Sequence, residues 1–297
     1  MNSTLVKDFK TYLRSRKTKR LNRSRVMDML LFIALAGFGL FSAWPLIYVA
    51  SNAFKPLDEI FRFPPQLIVR NPTFQNFSDL FRILNDSWVP LSRYFFNTLF
   101  YTVAGTAGHV MLSSMAAYPL AKYEFPGKKF LFAIVVLSLM FAVEVTAVPN
   151  YITISAIGLI NTPFALILPA FSASLGLYLL KQFMEQVPMA LIESARMDGA
   201  SEMTILFKVV IPQVKPAILT LIIFSFQGLW AAVGGSFIYS ERWKTMTDAI
   251  SSIVAGGVAR AGVAGAASLL MISVPIIVFI ITQSNVVETM STSGIKE

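Results

Sequence analysis

Residues 193–200, with the sequence E-S-A-R-M-D-G-A, form a polar stretch between two long apolar segments. Glu193 and Asp198 supply negative charge, and the small side chains of Ala195 and Ala200 keep the stretch narrow. A slim, charged segment can enter a groove on another protein and pair there with basic groups. The chemistry indicated is therefore recognition of a partner. The alternative, an ordinary pair of interfacial helices, would accept almost any polar residues at these positions.

Proline, glycine and serine predict two short helices in the surrounding segment, residues 185–216, which we call the elbow segment. Pro188 suits the first turn of a helix over 189–197, because its missing N–H costs nothing there. Gly199 suits the stop of that helix. Ser201 can cap a second helix. Pro212, which cannot continue a helix, marks the start of the next apolar segment.

The composition predicts an integral membrane protein. Hydrophobic residues make up 55% of the chain, charged residues only 14%, and the mean hydropathy is +0.64, whereas soluble domains carry about 25% charged residues. The chain has no cysteine and a single histidine, His109. It also lacks the phosphate-binding loop G-x-x-x-x-G-K-[ST] and the H-E-x-x-H and G-x-S-x-G signatures. These absences argue against a membrane-embedded enzyme.

Six apolar segments are long enough to cross a bilayer, since a span needs about 20 residues. The predicted fold is therefore all-α, with six transmembrane helices. The segments cover residues 26–49, 95–120, 130–148, 163–183, 217–239 and 265–287. Small residues four apart, such as Ala104 with Gly108 and Ala261 with Gly265, predict close packing of these helices.

The distribution of charge predicts the orientation of the spans. Residues 1–25 hold nine basic residues against Asp8, which accounts for nearly all of the net charge of +9. A basic block before a first span stays in the cytoplasm, so both termini and the elbow segment are expected there. The tail either sets topology alone or also attracts anionic lipid head groups. No nucleic-acid partner is expected.

Two ionisable residues lie within predicted spans. Glu144 falls in the third span, where a charge usually faces a cavity or a partner; a subunit interface and a position near the outer water interface both remain open. His109 lies in the second span, and a hydrogen bond between helices is the preferred role. A proton relay at His109 would need an acidic partner.

A candidate substrate pathway borders the fifth span. Gln227, Trp230 and Tyr239 offer an amide and flat aromatic surfaces, which can contact a polar solute. The alternative for Trp230 and Tyr239 is an aromatic belt at the lipid interface. Together with Glu144, these residues form the predicted pathway set.

The run from Glu193 to Gly199, followed by Pro212, resembles the "EAA" loop of the permeases of ATP-binding-cassette importers. That pattern reads E-A-A-x-x-D-G-A with a later proline, and this chain departs from it at Ser194. Residues 117–127 and 158–162 resemble loops of carbohydrate-importer permeases. The terminal residues 293–297 resemble the tail of the maltose-type subunit.

The resemblance implies the type I importer transmembrane fold with a cytoplasmic coupling helix. It implies a second homologous permease subunit, two ATPase subunits that bind ATP and Mg, an extracytoplasmic solute-binding protein, membrane lipid and an oligosaccharide substrate. No catalytic residue, metal or cofactor is expected in this chain. The ATPase-coupling residues implied are Glu193, Ser194, Ala195, Asp198, Gly199, Ala200 and Pro212. The ATPase-contacting tail implied is Ser293, Gly294, Ile295 and Lys296.

On this interpretation the chain divides into four parts. These are a basic cytoplasmic tail (1–25), a first span with its extracytoplasmic loop (26–94), a five-helix permease core (95–288) that contains the elbow segment, and a cytoplasmic tail (289–297). The expected function is ATP-driven import of an oligosaccharide by alternating access across the bacterial inner membrane. A secondary transporter driven by an ion gradient is the alternative, although only Glu144 fits it and no internal repeat is visible.

Overall fold

The computed structural model describes residues 25–64, 66–85, 89–257 and 260–293, and within these ranges the regular structure is helical, which confirms the all-α prediction. The α-helices are α1 (Arg25–Phe54), α2 (Leu57–Ile60), α3 (Gln75–Asn85), α4 (Leu91–Lys122), α5 (Lys128–Ser138), α6 (Val143–Ala156), α7 (Phe164–Phe171), α8 (Ser174–Glu185), α9 (Met189–Met197), α10 (Glu202–Ile205), α11 (Ile211–Gln213), α12 (Lys215–Trp230), α13 (Met246–Val254) and α14 (Ala261–Ser293). A π-helical segment (Leu206–Val210) joins α10 to α11, and a 3-10 turn (Glu241–Trp243) precedes α13.

Residues up to Val49 and residues from Ala50 onward form two compact units, and the first is described from residue 25. Among the described residues, three helical stretches are long and apolar enough to cross a membrane: Val26–Phe54, Phe164–Glu185 and Ala261–Ile281. A bent pair, Glu202–Gln213 with Lys215–Trp230, would make a fourth. The protein thus has several apolar helices, and the count of six spans stays a prediction.

Helix α4 is the packing centre of the second unit and lies against α7, α8 and α12. The buried face of α4 is unusually polar, which lowers the mean hydropathy of this helix. This explains why α4 is not among the stretches apolar enough to cross a membrane. The buried polar residues of α4 are Asn97, Thr98, Thr102, Thr106, His109, Ser113 and Ser114. His109 bonds Ser225 of α12 (Nδ1 to Oγ, 2.7 Å) and the carbonyl of Ala173 (2.9 Å from Nε2). The predicted hydrogen bond between helices is confirmed.

The third and fifth predicted spans are not the single helices expected, and the fourth is divided between α7 and α8. The third is broken: α5 ends at Ser138 and α6 begins at Val143, so Glu144 lies exposed in the first turn of a new helix instead of inside one continuous span. Its charge there faces the positive end of the α6 dipole. The helix of the fifth predicted span, α12, ends at Trp230, so Tyr239 lies in the following loop. Hydropathy did not indicate the break after α5 or the end of α12, because apolar side chains continue through both turns.

Close approach of α8 to α4 depends on Gly176, and the substitution Gly176→Ala should destabilise the fold. An added Cβ would lie 2.3 Å from His109 Nε2 and 2.5 Å from Ser113 Oγ, well inside contact distance. Because His109 is bonded on both nitrogens, it cannot simply move aside. We expect a loss of about 1–3 kcal/mol, measured as a lower Tm of the purified protein in detergent.

Gly228→Ala is the matched control, because Gly228 also lies in a packed helix but has nothing within 4 Å of the added Cβ. Its unfolding temperature should be unchanged or higher, since alanine favours a helix by about 1 kcal/mol over glycine. Equal unfolding temperatures for the two variants would contradict the proposed role of Gly176.

Candidate functional site

The elbow segment has the two-helix form that its sequence predicts. Pro188 precedes α9, and Gly199, with φ of 79°, ends it: the Ala200 N–H donates to the carbonyl of Ala195 at 3.0 Å. A left-handed φ is costly for residues with a Cβ, which explains the glycine. Ser201 then caps α10 by accepting a hydrogen bond from the Thr204 N–H at 3.3 Å.

A hydrophobic core fixes the inner face of the elbow segment. Ile192 of α9 and Ile205 of α10 are fully buried, and they pack in one cluster with side chains from α4, α8, the π-helical segment and α12. Ala195 and Ala200 are half-buried against the same cluster. The two alanines, predicted to allow docking, therefore also let the elbow sit close on its own chain.

The outer face of the elbow segment is exposed and carries negative charge. Glu193, Ser194 and Asp198 are all exposed, and Ser194 donates only to the carbonyl of Ala190 within its own helix, at 2.9 Å. Met197, one helical turn after Glu193, is 88% exposed. Residues four apart lie on one helix face, so a carboxylate and a bare apolar side chain are presented together. Met197 was not predicted, although its spacing from Glu193 could have indicated it.

Arg196 joins the elbow segment to the end of α4, a connection that sequence reasoning missed. Its Nε donates to Glu202 Oε1 at 2.8 Å, and its Nη2 donates to the Tyr123 hydroxyl at 2.7 Å. The Tyr118 hydroxyl donates to Glu202 Oε2 at 2.8 Å. Hydrogen bonding by Tyr123, Arg196 and Tyr118 outweighs burial and holds the pKa of the Glu202 carboxyl below its usual range. The group is therefore ionised at neutral pH.

Pro212 lies where the elbow segment turns into α12. The stretch Glu202–Gln213 meets α12 at a bend of 86°. Neither Pro212 nor Pro216 has an N–H to continue a helix, which accounts for the break. The elbow segment is thus directly continuous with a long apolar helix.

Two of the four predicted pathway residues line a common cavity. Gln227 is exposed and, with Trp230, lines a cavity of about 380 Å³ between α12, α13 and α14, but Glu144 and Tyr239 are not among its lining residues. Trp230 is only 3% exposed, donates from Nε1 to the carbonyl of Met271 at 3.0 Å, and is stacked on Phe226. Its ring is therefore used in packing. Tyr239 is 70% exposed.

The loop between α12 and α13, residues 231–245, is organised by a buried carboxylate that was not predicted. Asp248 Oδ2 accepts hydrogen bonds from the N–H groups of Gly234 and Thr245, both at 3.0 Å, and from the Thr245 hydroxyl at 2.9 Å. Asp248 and Thr245 also form a capping box at the start of α13. The sequence signal was a Thr followed three residues later by an acid.

The predicted ATPase-contacting tail falls almost entirely outside the described residues. Helix α14 ends at Ser293, and Gly294, Ile295 and Lys296 lie beyond the described range. Their role stays a prediction.

Residues 109–291 match the family described as "binding-protein-dependent transport system inner membrane component". The polygalacturonan/rhamnogalacturonan transport system permease protein YtcP of Bacillus subtilis (strain 168) is 30% identical over 224 residues, which are 74% of this chain and 76% of that protein. The arabinooligosaccharides transport system permease protein AraQ of the same organism is 26% identical over 92% of this chain and 96% of its own length.

The fold is also similar to a solved one. A chain from the crystal structure of a bacterial ABC transporter involved in the import of the acidic polysaccharide alginate has a TM-score of 0.75 and 22% identity, and the match covers 90% of this chain and 99% of that one. The family match spans more than half of the sequence, and the protein therefore belongs to the inner-membrane components of binding-protein-dependent transport systems.

Proposed function

We propose that this chain is the permease subunit of an ATP-driven importer that carries an oligosaccharide across the bacterial inner membrane. The observation that carries the proposal is the elbow segment: a short helix with a buried apolar face and an exposed acidic face, held rigidly on the membrane helices. Family membership supports the transport role, and YtcP and AraQ are named for polymeric and oligomeric carbohydrates.

The proposed assembly follows from what this chain offers. Glu193 pairs with a basic residue of an ATPase, and Met197 fills an apolar hollow beside it. Two ATPase subunits bind ATP and Mg; this permease subunit translocates and does not hydrolyse. A second homologous permease covers part of the apolar surface, lipid covers the rest, and a solute-binding protein delivers the saccharide from outside. Both termini and the elbow segment face the cytoplasm.

Movement of the elbow segment provides the proposed coupling. Because α9 and α10 share one core with α4, α8 and α12, the elbow cannot shift without these helices. Closure of the ATPases would move that unit as a body and favour one of two access states. The pathway is proposed to pass Gln227 in the cavity and the exposed Tyr239, with Glu144 as a further polar contact.

An uptake assay tests the proposal. The chain is purified with its co-expressed transport partners, reconstituted into vesicles and supplied with labelled oligosaccharides, including galacturonan and arabinan fragments. Uptake should require ATP inside and survive an ionophore that collapses ion gradients. Uptake that persists without ATP but stops with the ionophore would favour the ion-coupled alternative, which family membership does not support.

A further inference from the structure

The last turns of α4 hold the elbow segment at both ends of α9. Before α9, the Lys122 ammonium donates to the carbonyls of Glu185, at 3.1 Å, and Val187. After it, Tyr123 accepts from Arg196, and Tyr118 donates to Glu202. These bonds join residues more than 60 positions apart in the chain. The orientation of α9 is therefore set by α4 in addition to its neighbours in sequence.

Arg196 is suited to this role by the shape of its side chain. It uses one nitrogen for Glu202 and another for Tyr123, and its guanidinium lies 5.3 Å from the centre of the Tyr123 ring. A planar guanidinium fork serves two partners in fixed directions, whereas the lysine ammonium is a point charge on a flexible stem. The junction is about one-third to one-half exposed, so its contribution is geometric more than energetic.

The other end of α4 is bonded to the loop 231–245 and the start of α13. Asn97 donates to the carbonyls of Arg242 (2.9 Å) and Lys244 (3.0 Å). The Tyr101 hydroxyl donates to the carbonyl of Trp243 at 2.8 Å, and the Met246 N–H donates to Thr98 Oγ1 at 2.7 Å. Helix α4 has 32 residues, and at 1.5 Å per residue its two sets of bonds, from Asn97 to Lys122, lie about 38 Å apart.

We infer that Arg196 is a positioning residue that fixes the elbow segment to α4, and that α4 thereby carries elbow movement to the loop 231–245 on the opposite side of the membrane. The inference rests on the proposed function, since it needs ATPases that move the elbow. It adds a specific path: from α9 through Arg196, Tyr123 and Glu202 to α4, and along α4 to the loop. A continuous helix with bonded ends is a physical connection of the kind that coupling between distant sites requires.

Thiol labelling at Tyr239 can measure this transmission. The natural chain has no cysteine, and Tyr239 is exposed in the loop, so Tyr239→Cys introduces a single reporter without removing a buried group. The full complex is reconstituted, and the maleimide labelling rate of this chain is compared without nucleotide and with ATP plus vanadate. The parent should show a nucleotide-dependent change in rate.

Arg196→Gln should reduce that nucleotide-dependent change about fivefold to tenfold, the size of a typical coupling between sites, while ATPase subunits still co-purify. Arg196→Lys, which keeps the charge but not the two-directional fork, should give an intermediate loss. Glu202→Gln should resemble Arg196→Gln, and the double variant should be no worse than either single one, since all three break the same junction.

Glu124→Gln is the matched control, because Glu124 forms a 2.8 Å ion pair with Lys128 near the same end of α4 but is highly exposed and makes no bond to the elbow segment within the described chain. It should behave as the parent. A full labelling response in Arg196→Gln would contradict the inference but not the proposed function. The same holds if the Tyr239→Cys parent binds ATPases but shows no response to nucleotide. A parent that never binds ATPases would instead refute the proposed function. Unfolding temperatures confirm that each variant is folded.

Discussion

Glu193→Gln is expected to release the ATPase subunits from the purified complex and to abolish ATP-driven uptake. Glu193 is exposed on α9 and makes no hydrogen bond or ion pair in the part of the chain that the structure describes. Replacing Glu193 should therefore leave the folding stability of the permease itself unchanged. Removing one partner of an interfacial charge pair leaves the other unpaired, which costs about 2–5 kcal/mol. Even the lower value weakens association about 30-fold.

The measurement is co-purification of ATPase subunits with a tagged permease, together with uptake in vesicles. Glu124→Gln again serves as the control, since it removes an exposed carboxylate near the same end of α4. Membrane insertion and the unfolding temperature should be the same in both variants. Normal ATPase association and uptake by Glu193→Gln would show that this face of α9 is not the docking surface.

The elbow segment was predictable because its signals are local. Pro188 before a helix, Gly199 after it and Ser201 at the next start each act through the backbone of neighbouring residues, and the structure places all three as expected. The sequence indicated less clearly which face of the elbow segment would be buried. Ala195 and Ala200 were interpreted as slim outer residues, whereas both contact the core of their own chain.

The connection through Arg196 could not be predicted, because it depends on folding rather than on spacing. Tyr123 lies 73 residues before Arg196, and Tyr118 lies 84 residues before Glu202. Nothing in a single sequence brings such residues together. The local context suggested only an elbow with several charges.

Hydropathy also failed to locate breaks in the apolar segments. The chain between α5 and α6 reads L-M-F-A, apolar throughout, yet it turns there and exposes Glu144 at a new helix start. The loop after Trp230 begins with small apolar residues and was therefore included in the fifth span. Conversely, α4 is a continuous helix of 32 residues whose buried polar side chains lower its hydropathy. For α4, burial inside the bundle rather than contact with lipid explains the low hydropathy.

Asp248→Asn is expected to loosen the loop 231–245 and to lower uptake strongly. The asparagine side chain has one acceptor oxygen, whereas both Asp248 oxygens accept here: Oδ2 from Gly234 and Thr245, and Oδ1 from Gly235 at 3.5 Å. In one orientation of the amide the Gly235 N–H would face the NH₂ group and lose its partner, and in the other the buried N–H groups of Gly234 and Thr245 would lose theirs. The cost should be about 1–3 kcal/mol in unfolding free energy, and Asp248→Ala, which removes every acceptor, should cost more.

Limited proteolysis and the unfolding temperature measure the effect on the loop, and vesicle uptake measures its effect on transport. Asp58→Asn is the matched control: Asp58 also lies in the first turn of a helix, α2, but it is exposed and that helix has no side-chain cap. Because α4 bonds the same loop through Asn97 and Tyr101, a loosened loop should also lose its response to nucleotide in the Tyr239→Cys labelling assay. If Asp248→Asn keeps parental proteolysis, stability and labelling, the carboxylate does not organise the loop, and the outer end of the proposed path must depend on α4 alone.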